Sequence, residues 1–177
     1  MKKVLPRDKL SQAGPPSSVV LVTCVDKEGD PNIITLGMFM NVSISPLMVC
    51  IGVAPERYSH DLIKEQGEFA INVPTTEIID EMHRCGITSG RDCDKFASTG
   101  LTPIPAQMIR SPLIKECYGH LECRVVQTHT CGDHTLFVGE VVAASLDDEV
   151  LENGRLVLTK AKPVVQKNWV YHTVKLP

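Results

Sequence analysis

The stretch CYGHLECRVVQTHTCGDHTLFVGEVVAASL, residues 117–146, holds two β-rich segments, Cys117–Thr130 and His134–Leu146, joined by Cys131-Gly132-Asp133. Long runs with so tight a connection predict a hairpin of long, curved strands. In the second segment both parities are apolar: Leu136, Val138, Val142 and Ala144 alternate with Phe137, Val141 and Ala143. A barrel wall needs only one apolar face. The other has to be covered by helices or by another subunit, and a homodimer is the preferred cover.

Upstream, Ser18–Val25 reads as a strand, Asp26–Pro31 as a turn, and Asn32–Met40 as an extended run pairing back on the first. Leu47–Val53 and Phe69–Val73 are further strands. Between them Arg57–Gln66 changes to helical spacing, with Gly67 as its stop, and Thr75–Cys85 predicts a second helix ending at Gly86. A short helix is expected near Asp94–Ala97, in the loop-rich stretch 86–112. Antiparallel strands with two or three inserted helices predict a mainly β, closed or split barrel and not a Rossmann sheet. Residues 1–17 read as an irregular arm on the surface, and 18–177 as the single domain.

Composition agrees with one domain of 177 residues. Eighteen basic against 21 acidic side chains, net −3, lack the electrostatic footprint of a nucleic-acid binder. Eight aromatics are too few for a platform that stacks bases. From Pro31 to Pro55, 25 consecutive residues carry no charge. Asn32, Thr35, Asn41, Ser43, Ser45 and Pro46 interrupt that run and make it too polar for lipid, so no membrane partner is expected. The N-terminus has charge without a following apolar stretch, which is not the pattern of an export signal. With seven cysteines this predicts free thiols and a cytoplasmic location.

No glycine-rich nucleotide fingerprint, Walker loop, G-x-S-x-G or H-E-x-x-H occurs. Cys117, His120, Cys123, His129, Cys131 and His134 lie within 18 residues but lack the paired spacing zinc favours. The cysteines are expected to act as small apolar wall residues, and no metal site is assigned. Cys85 and Cys93 flank a glycine-containing loop and read as unpaired thiols. The more informative set is neutral: Asn32, Thr35, Gly37, Met38, Asn41, Ser43 and Ser45 offer small or amide groups to a flat ring with polar edges. Arg57-Tyr58-Ser59-His60 at a helix start suits a phosphate, with Arg91 and Lys95 as further cations. Together they describe a site for a phosphorylated planar ligand. His134 reads either as a turn residue beside Asp133 or as a polar group at the mouth of that site.

The chain resembles the flavin reductase-like, FMN-binding split-barrel family, and within it the flavoredoxin branch. The resemblance runs through residues 19–53 (VVLVTCVDKEGDPNIITLGMFMNVSISPLMVCIGV), the ERYSHDLIKEQGEFAINVP segment, SGRDCDKF and GDHTLFVGEV, in that order. It implies a homodimeric Greek-key split barrel with one FMN per subunit near the dimer interface. It implies that Asn32, Thr35, Leu36, Gly37, Met38, Asn41, Val42 and Ser43 line the ring and ribityl chain. Arg57, Tyr58 and Ser59 would lie by the phosphate with Lys95 nearby, and Trp169 and Tyr171 would cap the ring. His134 matches a histidine lying near nicotinamide and flavin in reductase relatives, and is the candidate catalytic residue. The implied activity is oxidoreductase chemistry that passes hydride or electrons from NAD(P)H or a redox protein through bound FMN. The alternative is a non-catalytic electron-transfer or flavin-storage protein. Two features depart from the family: Ser45-Pro46-Leu47 stands where many relatives have paired prolines, and cysteines are unusually many.

Overall fold

The computed structural model describes residues 2–173. Its main sheet has seven strands: β1 (Val20–Val25), β2 (Pro31–Leu36), β3 (Phe39–Ile44), β4 (Leu47–Val53), β5 (Glu68–Val73), β6 (Gly119–Cys131) and β7 (His134–Leu146). The order is β2-β1-β5-β6-β7-β4-β3, with every neighbouring pair antiparallel. The strands β2 and β3 occupy opposite edges, yet only Gly37 and Met38 separate them in the chain. A sheet whose two edges must come within two residues of each other has to curl round on itself. The Gly52 N–H donates to the Met38 carbonyl at 3.0 Å, extending the β3–β4 pairing by one residue, and no strand ladder joins the two edges. The result is a split barrel, as expected for a mainly β chain. The extended run expected over Asn32–Met40 is two strands, because closure breaks it at Gly37.

The strand β1 is buried along its whole length. Val20, Val22 and Cys24 join the interior cluster with Ile51, Leu62, Ile63, Phe69, Ile71 and Phe137. Val19 and Leu21 join an outer cluster with Ile33, Met82, Phe96 and Ile114. Both parities are therefore apolar because β1 separates two cores. Each large side chain so buried contributes roughly 1.5–3 kcal/mol.

The helix α1 (Tyr58–Gln66) ends at Gly67, whose φ of +68° is the left-handed conformation of a helix stop. A 3-10 turn at Thr76–Ile78 precedes α2 (Ile79–Ile87), and α3 (Lys95–Thr99) is capped by Asp94 accepting from the Ala97 N–H. The helix α2 runs past Gly86, where a stop was expected. There a Cβ would stand 3.3 Å from Thr35 Cβ, so this glycine serves close packing on β2. The loop between α3 and β6 is pinned by side-chain acceptors. The Glu122 carboxylate takes N–H bonds from Gln107 and Met108, Glu68 from Arg110 and Ser111, and Asn72 Oδ1 from Ile114.

The long hairpin forms as expected, turning at Gly132 with φ +60°. It carries two bulges: Val126 is unpaired where Gly139 meets Val125, and Val142 is unpaired where Ala143 meets Glu122. A second sheet joins β8 (Val164–Lys167) to β9 (Val170–Thr173), with Ser17–Ser18 pairing along β8. The N-terminal arm contains a 3-10 helix at Arg7–Ala13 with no buried residue, so the irregular arm gains one local element. Lys167 Nζ ties it down by donating to the carbonyls of Ser11 and Gly14, both at 2.7 Å. No helix among the described residues is long and apolar enough to cross a membrane.

Candidate functional site

A cleft of about 1140 Å³ opens beside the barrel seam. One wall is β2 and the residues after it, with Asn32, Thr35, Leu36, Gly37 and Met38. The start of α1 supplies Arg57, Tyr58 and Ser59, and the end of α2 and its following loop supply Gly86 to Gly90. Lys95 lies at the base, Asp133 and His134 at one rim, and Gln166, Trp169 and Tyr171 at another. The structure thus brings together most of the residues singled out from the sequence. Asn41, Val42 and Ser43 do not join them: they lie on the edge strand β3, outside the cleft of a single chain.

Asn32 is buried, and its Nδ2 donates to Ser59 Oγ at 2.7 Å. Its Oδ1 is enclosed without a donor. A buried acceptor left unpaired costs about 1–3 kcal/mol. Gly90 closes the loop onto this amide, and a Cβ there would lie 2.2 Å from Asn32 Oδ1 and 2.9 Å from Tyr58 Cδ1. The loop is anchored by Arg91, which donates to the Glu56 carbonyl at 3.2 Å and to Asp61 at 3.1 Å. Its guanidinium stands 5.1 Å from the centre of the Tyr58 ring. Arg91 is thus a brace outside the cleft wall.

Lys95 is almost wholly buried, and its Nζ donates to the carbonyls of Ile33 and Cys85, both at 2.8 Å. An ammonium has three donors, so one remains. Burial pulls its pKa down, and among the described residues no carboxylate forms an ion pair with it. A buried cation without an anion beside an open cleft fits an incoming phosphate. The first turn of α1, which has no side-chain cap, adds backbone N–H groups of the same polarity.

At the rim, His134 Nδ1 lies 2.7 Å from Asp133 Oδ1. The histidine holds the Asp133 carboxyl below its ordinary value. Behind it, His60 Nε2 is 3.0 Å from Thr135 Oγ1 and its ring packs edge-on against Phe137, which joins α1 to the start of β7. Sequence reasoning missed His83, Gln166 and Ser17. His83 Nδ1 is 3.3 Å from Tyr171 Oη, and Gln166 Nε2 donates to Ser17 Oγ at 2.7 Å. These pairs join residues far apart in the chain, and no local pattern announces them.

All seven cysteines are free. Cys117 and Cys123 are buried in different core clusters, which separates the cysteine- and histidine-rich segment. Among the described residues no three histidine, cysteine or acidic side chains converge as metal ligands do. Burial pushes the thiols of Cys24 and Cys123 up to about 12 and that of Cys85 to about 11. They are inert wall residues at neutral pH.

The family model for the flavin reductase-like domain matches residues 13–174. Among solved structures, flavoredoxin of Desulfovibrio vulgaris (Miyazaki F) is 28% identical and superposes with a TM-score of 0.91, covering 99% of this chain and 94% of that one. Flavoredoxin from Methanosarcina acetivorans is 29% identical, TM-score 0.90, covering 100% and 94%. An NADH-dependent FAD reductase of Streptomyces globisporus is 29% identical over 73% of this chain and 70% of its own length. With its split barrel and its cleft at the seam, this chain belongs to the flavin reductase-like family.

Proposed function

We propose that the cleft binds FMN and that the protein is an oxidoreductase passing hydride or electrons from NAD(P)H or a redox protein through it. The observation that carries this reading is a buried Lys95 at the base of the cleft, whose Nζ donates to two carbonyls and has no carboxylate partner among the described residues. Lys95, Arg57 and the first turn of α1 hold the phosphate. Asn32, Thr35, Leu36, Gly37 and Met38 line the ring and ribityl chain. FMN supplies a carrier that accepts two electrons and returns them singly or together. The protein's part is to bind it, orient it and shield one side with Trp169 and Tyr171. His134, fixed by Asp133, orients an incoming nicotinamide at the rim.

The NADH-dependent FAD reductase supports a nicotinamide donor. A homodimer completes the reading. Met40, Cys50 and Val138 stand opposite one another across β3, β4 and β7, on the face away from the interior cluster. Met40, Val42, Ile44 and Leu47 continue it as an uncharged, exposed edge. A second subunit covers this face and brings Asn41, Val42 and Ser43 to the flavin region.

Anaerobic mixing of the flavin-loaded protein with NADH, NADPH or a reduced iron–sulfur protein, followed by visible absorbance, tests the reading. Loss of the oxidised-flavin band with a nicotinamide, slowed in His134→Ala while FMN affinity holds, is the expected result. Reduction only by the protein donor assigns electron transfer without nicotinamide turnover. A chain that takes up neither FMN nor FAD overturns the reading altogether.

A further inference from the structure

Charge is spread unevenly round the cleft. Glu56, Arg57, Asp92, Lys95 and Asp133 enter its lining from the segment leading into α1, the loop after α2, α3 and the β6–β7 turn. The helix α2 and the β8–β9 hairpin contribute no Asp, Glu, Lys or Arg. They supply His83 and Ile87, four residues apart on one face of α2, together with Trp169 and Tyr171. Met38 adjoins the same lining, and Met38, Ile87 and Trp169 are exposed, so this end of the cleft offers apolar surface to whatever enters.

One hydrogen-bonding pair interrupts that surface. His83 Nδ1 lies 3.3 Å from Tyr171 Oη, with the rings edge-on at 77° and 5.9 Å between their centres. Tyr171 is held from behind: it stands opposite Gln166 in the hairpin ladder and packs against the outer core cluster. Burial pushes its phenol up from the ordinary value, so the O–H keeps its proton. His83 is exposed, so its ring exchanges protons with water. A phenol backed by an imidazole open to solvent can act as a general acid. Shielding a flavin uses the Tyr171 ring but not this proton. The ligand suited to such a wall is flat, uncharged, and bears an oxygen that accepts a hydrogen bond as it gains electrons. A quinone has all three properties. Clefts for a single cofactor-sized ligand run to roughly 300–1,000 Å³, and this one, at about 1140 Å³, leaves room beside one.

We propose that this end of the cleft takes a quinone and that Tyr171, backed by His83, protonates it. This rests on the reading of the cleft as a flavin site. The quinone gains a hydride, two electrons and one proton, from the reduced flavin. The Tyr171 O–H gives a second proton to a quinone oxygen, and the hydroquinone leaves with the flavin oxidised. His83 then returns a proton to the Tyr171 oxygen and takes one from water. NAD(P)H or a redox protein supplies the electrons that reload the flavin. Tyr171 is the catalytic group, and His83 is a positioning residue that acts through it.

The probe is menadione, an uncharged naphthoquinone, with ferricyanide, which takes an electron and no proton, as reference. Flavin-loaded protein is reduced anaerobically with stoichiometric dithionite, and its reoxidation by each acceptor is read from the flavin absorbance. Tyr171→Phe keeps the ring and removes the acid. It is expected to lower the menadione-to-ferricyanide rate ratio about a hundredfold. Calorimetry on the oxidised protein, where no turnover occurs, is expected to show saturable menadione binding. The same variant weakens it about three- to tenfold, the worth of one hydrogen bond. His83→Ala is expected to lower the rate ratio and to recover when imidazole is added, which a loss of packing would not do. An unchanged ratio in Tyr171→Phe, or no menadione binding to the flavin-loaded protein, overturns the proposal. A His83→Ala variant that keeps the ratio, or that imidazole does not recover, overturns the pairing with His83. Flavin uptake without menadione binding refutes only this proposal, whereas a chain that refuses flavin refutes the reading of the cleft.

Discussion

Gly90→Ala tests how the cleft is built. The added Cβ would lie 2.2 Å from Asn32 Oδ1, 2.7 Å from Asn32 Cγ and 2.9 Å from Tyr58 Cδ1, so side chain or loop must move. Gly90 has no positive φ, which makes the effect steric alone. Overpacking of this kind costs about 1–3 kcal/mol. Displacing the Asn32 amide also breaks its buried bond to Ser59, worth about 0.5–1.5 kcal/mol. The sum, about 1.5–4.5 kcal/mol, lowers the melting temperature by about 3–18 °C in a domain of this size. Gly67→Ala is the internal control, with φ +68° and no atom within 4 Å of its Cβ. It bears only the left-handed strain, about 1–2 kcal/mol. Thermal unfolding and flavin titration of both variants decide the matter. If the loop swings out instead of straining the fold, the loss moves to flavin affinity, because Asn32 and Tyr58 no longer meet their cover. Gly90→Ala that melts no lower than Gly67→Ala and binds flavin as the parent does refutes the packing of this loop on Asn32.

Lys95→Met removes the buried cation while filling its volume; FMN affinity is expected to fall about tenfold or more with riboflavin affinity little changed, read by flavin fluorescence. Equal losses for both flavins would place the phosphate elsewhere. The thiols of Cys24, Cys85 and Cys123 are raised from 9.0 in the folded state. The folded chain therefore holds protons that the unfolded chain releases. Their contribution to stability is complete below about pH 9 and is lost as pH rises toward about 11–12. Urea midpoints measured upward from neutrality should decline in that window, and a flat profile contradicts the burial. Ile44→Glu places a charge on a residue 93% exposed at the uncharged edge. Light scattering is expected to show a dimer for the parent and a monomer for the variant, and two equal masses would move the interface elsewhere.

Strands β1 and β4 and the long hairpin were legible because each is announced by apolar runs bounded by turn residues. The break at Gly37 was not, since it is imposed by two sheet edges meeting in space rather than by neighbours in sequence. Gly86 misled for a related reason: a glycine chosen for close approach to Thr35 looks like a helix stop when its partner is 51 residues away. Within the site, Asn32 to Met38 stood out through lack of charge, and Arg57 to Ser59 through their place at a helix start. The bracing by Arg91, the cover by Gly90 and the rim at Gln166 arise from long-range packing, which composition and periodicity do not encode.

The two bulges of the long hairpin lie on opposite strands, one extra residue each, so their offsets cancel. Pairing is in one frame at His134–Val138 and again at Ala143–Leu146, and is slid by one residue only at Gly139–Val141. That short slid window contains Gly139, where a Cβ would meet Phe69 Cζ at 2.7 Å. Losing either bulge alone would shift one flank of the hairpin by a residue and turn its side chains to the wrong face. Losing both would restore a regular ladder but take Gly139 out of its slot against Phe69. The pair therefore acts as a two-key lock on alignment, and single-residue insertions or deletions are tolerated in this hairpin only as matched changes on both strands.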